Sequence, residues 1–144
     1  MSKDYIALFP GQGSQSLGML GDDAFPDSAD QKIIKDCFAE ASDVIGEDLF
    51  NIIHDDAEKL NQTIYTQPIM LCADIAVGRV WHNYTDLKPL ACAGHSLGEY
   101  AALVCAGSLS FGDAISLVRK RAELMQGAVL NLETQMAAII GLSS

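Results

Sequence analysis

The segment Gly94-His95-Ser96-Leu97-Gly98 places a serine between glycines that lie two residues before and two residues after it. This G-x-S-x-G pattern follows the apolar run Leu90 to Ala93 and precedes a helical pattern, the strand–turn–helix context of a nucleophilic serine. The first N–H groups and the dipole of the following helix would point at the serine. We expect Ser96 to be an acyl-accepting nucleophile and the backbone N–H of Leu97 to bind the oxyanion of its tetrahedral intermediate. The alternative is a glycine-rich β–α turn in which Ser96 is a helix N-cap.

A second candidate segment, Gly11-Gln12-Gly13-Ser14-Gln15, follows the apolar run Tyr5 to Phe9. It does not fit the dinucleotide pattern G-x-G-x-x-G, because Ser16 stands where the third glycine would be. Loops that follow parallel strands gather at the carboxyl edge of a sheet. We therefore expect the N–H of Gln12 to lie near that of Leu97 as a second oxyanion donor. A plain β–α turn is the alternative.

Arg121 lies on the apolar face of a predicted helix, from Ser110 to about Gln126. The residues within about 60° of it on a helical projection are Ala114, Leu117, Val118, Leu124 and Met125. Arg119 and Lys120 are expected to face solvent. A guanidinium turned toward the core needs an anion, and its planar fork suits a carboxylate. That carboxylate belongs either to an Asp or Glu of the protein or to a dicarboxylic acyl substrate, and the helix alone does not decide.

The base that would activate the serine is missing from the sequence pattern. In the α/β-hydrolase order the histidine follows the serine, but His54 and His82 precede Ser96. His95 is adjacent, and side chains of neighbouring residues on a tight turn diverge. We predict that the catalytic base is absent from this chain. His54 and His82 are interpreted as surface or helix-end residues, and His95 as packing around the turn.

Charge and composition narrow the class of partner. The formal net charge is −10, and the one dense basic cluster is Arg119-Lys120-Arg121, which argues against nucleic acid and against an anionic membrane surface. No apolar run reaches the roughly 18 residues of a membrane span, and no signal-peptide region precedes the first strand. The four cysteines form no CxxC pair and have no histidine at metal-ligand spacing. We predict buried thiols, no metal and a cytoplasmic protein.

The elements that must position these residues alternate between strand and helix. Predicted strands are Tyr5 to Phe9, Leu90 to Ala93 and Met136 to Leu142. Predicted helices run from Asp30 to Ile45, Asp48 to Leu60, Pro68 to Tyr84 with Thr66 as N-cap, just after Ser96 to Cys105, and Ser110 to Gln126. The alternation implies an α/β fold with a parallel sheet whose first strand is buried on both faces. The helix from Pro68 is apolar on most sides, so we expect it to be deeply buried.

Three motifs taken together resemble those of a known family. Phe9 to Gln15, Gln67-Pro68 and Gly94 to Tyr100 look like the signatures of malonyl-CoA:acyl carrier protein transacylases, and the similarity covers essentially all 144 residues. The resemblance implies that Ser96 accepts the malonyl group and that the N–H groups of Gln12 and Leu97 form the oxyanion hole. It also implies that Arg121 binds the malonyl carboxylate.

The resemblance further implies a three-layer, α/β-hydrolase-like large subdomain over residues 1–127 and the first strand of a ferredoxin-like small subdomain over 128–144, both incomplete. The family's catalytic histidine and a second glutamine would lie beyond residue 144. The implied reaction belongs to fatty acid biosynthesis, with malonyl-CoA as substrate, acyl carrier protein as partner and no cofactor beyond the partner's phosphopantetheine. The full-length enzyme is expected to be a monomer, whereas a truncated chain could self-associate.

Two other functions stay open at this point. One is an esterase or thioesterase that uses the same serine but has little use for a core-facing arginine. The other is a non-catalytic fragment that needs a C-terminal half. For the transacylase, the acidic carrier protein must dock on a local basic patch, for which Arg119 and Lys120 are the candidates.

Overall fold

The computed structural model describes residues 4–130, 132–133 and 141. Its elements, in chain order, are β1 (Ile6–Phe9), α1 (Ser28–Ile45), α2 (Leu49–Asp55), α3 (Ala57–Leu60), α4 (Thr63–Tyr84), β2 (Ala91–Gly94), α5 (Gly98–Cys105) and α6 (Phe111–Ala128). The two strands pair in parallel, with Ile6 opposite Ala91 and Phe9 opposite Gly94. The predicted α/β class with a parallel sheet is therefore confirmed. Of the strand predicted from Met136 to Leu142, only Gly141 is among the described residues.

The small sheet is covered on one face only by the part of the chain that the structure describes. Helix α5 packs against both strands. Residues on that side, such as Ala7 and Phe9, are half-buried, whereas Ile6 and Leu8 on the other side are 60% and 75% exposed. The prediction that β1 is buried on both faces is wrong for this structure, because the described helices supply no second layer over the sheet.

The hydrophobic core lies among the helices. Helix α4 packs against α1, α5 and α6, and fully buried side chains from these elements include Phe38, Ile69 and Leu71. Helix α1 begins after an Asp27 cap and ends at Gly46, whose φ of 78° is the left-handed C-cap that the sequence indicates. The single helix predicted from Asp48 to Leu60 is instead two short helices separated by Asp56, whose φ of −132° and ψ of 80° are not helical.

Helix α4 begins earlier than predicted. Thr66 is not its N-cap; the hydroxyl of Thr66 donates to the carbonyl oxygens of Leu60 at 2.6 Å and Gln62 at 3.0 Å. Gln62 takes the extended cap conformation, so the helix starts at Thr63 and Pro68 lies inside it. The expected deep burial holds from position 66 to 76, but the last two turns expose large apolar side chains such as Trp81.

Helix α6 begins as predicted, with the Ser110 hydroxyl accepting the N–H of Asp113 at 3.2 Å. Among the described residues, its predicted apolar stripe is covered on one flank only. Ala114 and Val118 are buried, but Leu117 and Leu124 are 48% and 63% exposed. Arg121 therefore lies at the boundary of the core rather than in the middle of a covered face.

The described residues contain no helix long and apolar enough to cross a membrane, and no cluster of three or more metal-ligating side chains. All four cysteines are free. Cys37 and Cys72 are buried as predicted, whereas Cys92 and Cys105 are only half-buried. Burial, together with a hydrogen bond to Cys92, raises the pKa of Cys105 to about 11, so this thiol stays protonated at neutral pH.

Candidate active site

Ser96 occupies a strained turn between β2 and α5. Its φ of 55° is the left-handed region, which is uncommon for residues other than glycine. The helix N-cap is Leu97, without a side-chain capping bond, and Ser96 is exposed. The alternative in which Ser96 is only an N-cap is therefore wrong. Strain at an exposed serine between a strand and a helix is the geometry that a nucleophile elbow requires.

The positions two residues before and after Ser96 have no room for a side chain. A Cβ on Gly94 would lie 2.1 Å from the carbonyl carbon of Gly98, and a Cβ on Gly98 would lie 2.3 Å from the carbonyl oxygen of Phe9. Both distances are far below van der Waals contact. Only glycine allows the start of α5 to cross the ends of β1 and β2 this closely, as expected from the sequence.

Leu97 supplies the backbone N–H at the start of α5. Its side chain is 1% exposed and belongs to the core, which fixes the peptide on its N-terminal side. The following N–H groups are engaged: Gly98 donates to His95 at 3.0 Å and Glu99 donates to Ser96 at 3.3 Å. Among the described residues, the Leu97 N–H itself has no hydrogen-bond acceptor. The predicted oxyanion role of this N–H stays a prediction.

The first loop lies directly against this turn. A Cβ on Gly11 would lie 2.7 Å from the Nδ1 of His95, so the two loops meet at the carboxyl edge of the sheet as predicted. The Gln12 side chain is braced from α4: its Nε2 donates to Thr63 Oγ1 at 3.2 Å, and its Oε1 accepts from Gln67 Nε2 at 3.4 Å. The oxyanion role of the Gln12 N–H stays a prediction.

Arg121 reaches Ser96 from α6. Its Nη2 donates to Ser96 Oγ at 2.9 Å, its Nη1 donates to Gln67 Oε1 at 2.7 Å, and its guanidinium lies 5.8 Å from the ring centre of Tyr100. Within the described residues, Arg121 forms no ion pair with a carboxylate. Its partners there are neutral acceptors, so no carboxylate of the described residues compensates its positive charge beside Ser96.

Gln67 joins these residues into one hydrogen-bonded chain, although its position in the sequence predicted no role for it. It is fully buried, and it links Gln12 in the first loop to Arg121 on α6. Its Nε2 also lies 3.3 Å from the sulfur of Met125. The signal in the sequence was an amide side chain in a mostly apolar stretch of helix, where a buried polar group requires partners.

Arg119 and Lys120 were both predicted to face solvent. Lys120 does, but Arg119 does not. The Arg119 side chain is 21% exposed and forms ion pairs with Glu47 at 3.7 Å and Glu123 at 3.4 Å. Its Nη1 also donates to the carbonyl oxygen of Ile64 at 3.2 Å. The charge of Arg119 is already engaged, and Lys120 also lies 3.5 Å from Glu123, so the docking role of these two residues stays a prediction.

None of the three histidines is hydrogen-bonded to Ser96 within the described residues. The backbone of His95 donates to Phe9 at 3.1 Å, and its ring packs against Gly11, which fits the predicted packing role. His54 and His82 lie in the last turns of α2 and α4, as expected for helix-end residues. The His54 ring packs on Phe50 at 4.5 Å.

The known proteins that this chain resembles are acyl transferases. The family model described as acyl transferase domain matches residues 6–142. The malonyl CoA-acyl carrier protein transacylase of Haemophilus influenzae is 49% identical over 144 residues, which are 99% of this chain and 45% of that protein. The transacylase of Escherichia coli strain K12 is 50% identical over 139 residues, 96% of this chain and 44% of that protein.

Solved structures show the same likeness. An acyl carrier protein S-malonyltransferase from Vibrio cholerae superposes with a TM-score of 0.79 at 50% identity, over 88% of this chain and 40% of that one. A malonyl-transacylase solved in complex with a type II polyketide synthase acyl carrier protein superposes with a TM-score of 0.80 at 49% identity, over the same shares. The chain therefore spans less than half the length of these relatives.

Proposed function

Because the chain belongs to the acyl transferase domain family, we propose that it carries the serine side of a malonyl-CoA:acyl carrier protein transacylase site. The fold assignment that goes with this proposal is an α/β-hydrolase-like large subdomain over residues 1–127 and the start of a ferredoxin-like subdomain over 128–144. The relatives named as malonyl transacylases, nearly half identical over almost the whole of this chain, support the substrate class.

The proposed reaction has two acyl transfers. Ser96 Oγ attacks the thioester carbon of malonyl-CoA while a general base takes the hydroxyl proton. The C–S bond then breaks, the base passes that proton to the sulfur, and coenzyme A leaves as its thiol. The malonyl-serine ester is then attacked by the phosphopantetheine thiol of acyl carrier protein, which restores the Ser96 hydroxyl. Both tetrahedral intermediates carry an oxyanion, which the N–H groups of Leu97 and Gln12 would stabilise. The reaction would belong to fatty acid biosynthesis and needs no metal or resident cofactor, since the thioester is itself activated.

The observation that carries the proposal is the uncompensated guanidinium of Arg121 at hydrogen-bond distance from the Ser96 hydroxyl. A neutral acyl group would leave this charge without an anion in a half-buried site. A malonyl group supplies a carboxylate that can occupy both arms of the fork. This favours a dicarboxylic acyl donor over the neutral ester of a general esterase.

The general base is a finer part of the proposal. Arg121 is a donor to Ser96 and cannot take its proton, because the guanidinium does not deprotonate at physiological pH. His95 packs away against Gly11, and His54 and His82 lie at the ends of other helices. We therefore assign the base to a residue of the protein outside those described, and we expect residues 4–130 alone to transfer slowly or not at all.

The test is acylation of Ser96. The protein is mixed with malonyl-CoA, and the ester is located by mass spectrometry of the intact chain and of its peptides. Acetyl-CoA and the Ser96→Ala variant are the controls. One malonyl group on Ser96, passed to the thiol of holo acyl carrier protein when that partner is added, supports the proposal.

Two outcomes would contradict it. Malonyl-CoA consumption that yields free malonate and no acyl-thiol would assign a thioesterase. If the protein, with any segment that follows residue 144, is folded and yet leaves Ser96 unmodified by either thioester, its role would be non-catalytic.

A further inference from the structure

We propose that Arg119 is a positioning residue, which holds the first turns of α4 against α6 by replacing a backbone hydrogen bond that Pro68 cannot make. The inference uses the proposed function only for its last consequence, the choice of acyl group. Its structural part stands on the contacts of α4 and α6.

Helix α4 lacks one of its own backbone hydrogen bonds. In an α-helix the carbonyl of residue i accepts the N–H of residue i+4. Residue 68 is a proline, which has no N–H and lies well inside α4, so the carbonyl of Ile64 loses its helical donor. The oxygen of Ile64 is partly buried, and a carbonyl shielded from water is unfavourable without a donor. The Nη1 atom of Arg119 lies 3.2 Å from this oxygen and supplies the missing donor.

Arg119 is itself held in place by contacts on several sides. Its guanidinium pairs with Glu47 at 3.7 Å and with Glu123 at 3.4 Å, and it lies 5.2 Å from the ring centre of Tyr65. The Tyr65 hydroxyl in turn donates to Glu47 at 2.9 Å. A guanidinium held on several sides loses little further freedom when it bonds to Ile64. The contact therefore acts as a clamp between two helices rather than as a loose surface pair.

This clamp is linked to the candidate site. The turns of α4 around Ile64 carry Thr63, which accepts from Gln12, and Gln67, which bonds to both Gln12 and Arg121. Arg119 and Arg121 are two residues apart on α6. A shift of the start of α4 away from α6 would lengthen the Gln67–Arg121 bond and move the Gln12 loop. Arg119 thus sets the distance between α4 and α6. The position of the Arg121 guanidinium and that of the loop that carries Gln12 both depend on this distance.

A double-mutant cycle tests the structural part. Arg119→Met keeps the aliphatic stem and removes the donor, and Pro68→Ala restores an N–H that can bond to Ile64. In the native background, Arg119→Met is expected to raise the unfolding equilibrium constant about tenfold. In the Pro68→Ala background the same substitution should raise it clearly less. Lys120→Met is the matched control, because Lys120 contacts Glu123 but not Ile64, and its effect should be the same in both backgrounds.

The site is read out by the side-chain amide signals of Gln12 and Gln67 in nitrogen–proton correlation spectra. We expect both signals to shift in Arg119→Met, to return toward their native positions in the double variant and to stay in place in Lys120→Met. The preference of Ser96 for malonyl-CoA over acetyl-CoA should fall and recover in the same order. Equal destabilisation by Arg119→Met in both backgrounds, or amide signals that do not move, would overturn the proposal.

The two proposals can fail separately. If Ser96 is acylated by neither thioester in any variant, the proposed function fails, while the stability cycle and the amide signals still decide the role of Arg119.

Discussion

The two arms of the Arg121 guanidinium bind two different neutral acceptors: Nη2 lies 2.9 Å from Ser96 Oγ, and Nη1 lies 2.7 Å from Gln67 Oε1. Within residues 4–130, 132–133 and 141, no carboxylate competes for this fork. A substrate carboxylate is expected to displace the weaker neutral acceptor, since charge-assisted hydrogen bonds are about twice as strong as neutral ones. Displacement from Ser96 would leave its hydroxyl free for attack once the acyl group is in place.

Replacement of Arg121 by alanine should remove the preference for malonyl-CoA over acetyl-CoA. The loss of a charged hydrogen-bonding partner predicts a fall of about 10- to 100-fold in the malonyl-to-acetyl ratio of Ser96 acylation rates. Arg121→Lys is the matched variant, because it keeps the charge and loses the fork, and it should lie in between. Acylation rates followed by mass spectrometry give the ratio. An unchanged ratio in Arg121→Ala would remove the assigned role.

Gly98→Ala should strongly destabilise the chain, because its Cβ would lie 2.3 Å from the carbonyl oxygen of Phe9, a rigid backbone atom. We expect a loss of more than about 2 kcal/mol in the free energy of unfolding. Gly78→Ala in α4 is the control, because a Cβ at that position would meet no atom within 4 Å. It should be neutral or stabilising by about 0.5–1 kcal/mol. Urea unfolding of both variants decides, and equal effects would contradict the close crossing at the elbow.

Ser96→Gly and Ser96→Ala should both abolish acylation but change stability differently. At a φ of 55° a glycine is unstrained, whereas alanine keeps the Cβ that makes this conformation unfavourable. Relative to Ser96→Ala, Ser96→Gly should therefore be more stable by about 1 kcal/mol, less the extra freedom of glycine in the unfolded chain. Thermal unfolding of the two variants measures the difference. Greater stability of the alanine variant would argue that the turn carries no strain.

The sequence was sufficient to predict those features whose causes are local. The elbow glycines, the Gly46 cap and the Ser110 cap follow from steric and capping rules that act over a few residues. Arg121 could be identified because helical periodicity alone places it beside apolar residues. These predictions required no knowledge of which elements meet.

The errors come from contacts between elements distant in the sequence. Arg119 was expected in solvent because its nearest partner on the opposing side, the carbonyl of Ile64, becomes available only through Pro68 and the packing of α4 on α6. Gln67 received no role because its three partners come from the first loop and from α6. The exposed face of β1 could not be foreseen, since an apolar run shows that a strand can be covered but not which residues cover it.

Asp74 should make stability fall as pH rises between about 4 and 7. Burial raises the pKa of this carboxyl from 3.8 to about 7, its Oδ2 has no hydrogen-bond partner among the described residues, and it lines an apolar hollow of about 440 Å³ beside β1. The folded state favours the protonated form, so its contribution is fully present below pH 3.8 and is lost as pH rises through 7. His82 and Tyr5 line the same hollow.

The measurement is the difference in unfolding free energy between the native chain and Asp74→Asn at several pH values. Because every other group titrates in both proteins, the difference isolates Asp74. The asparagine variant should gain on the native chain across this window and be more stable above pH 7, by at least about 1 kcal/mol. A difference that does not change with pH would mean that Asp74 is hydrated in the folded protein.

Gln67→Glu tests whether the Arg121 guanidinium must be free of a protein carboxylate in order to bind the carboxylate of the acyl group. The substitution is nearly isosteric and places an anion 2.7 Å from Nη1, so it supplies from the protein the partner that we assign to the substrate. The buried pair should let the chain fold, because the new charge is compensated where it lies. Malonylation of Ser96 should fall by about 10-fold or more, since the incoming carboxylate now meets a neutralised guanidinium, while acetylation should change little.

Gln67→Met is the control, because it removes the acceptor without adding charge. It separates the effect of the new charge from the loss of support for Arg121, and it should impair malonylation less than Gln67→Glu does. Malonylation that survives Gln67→Glu intact would show that the charge of Arg121 is not what selects the acyl group.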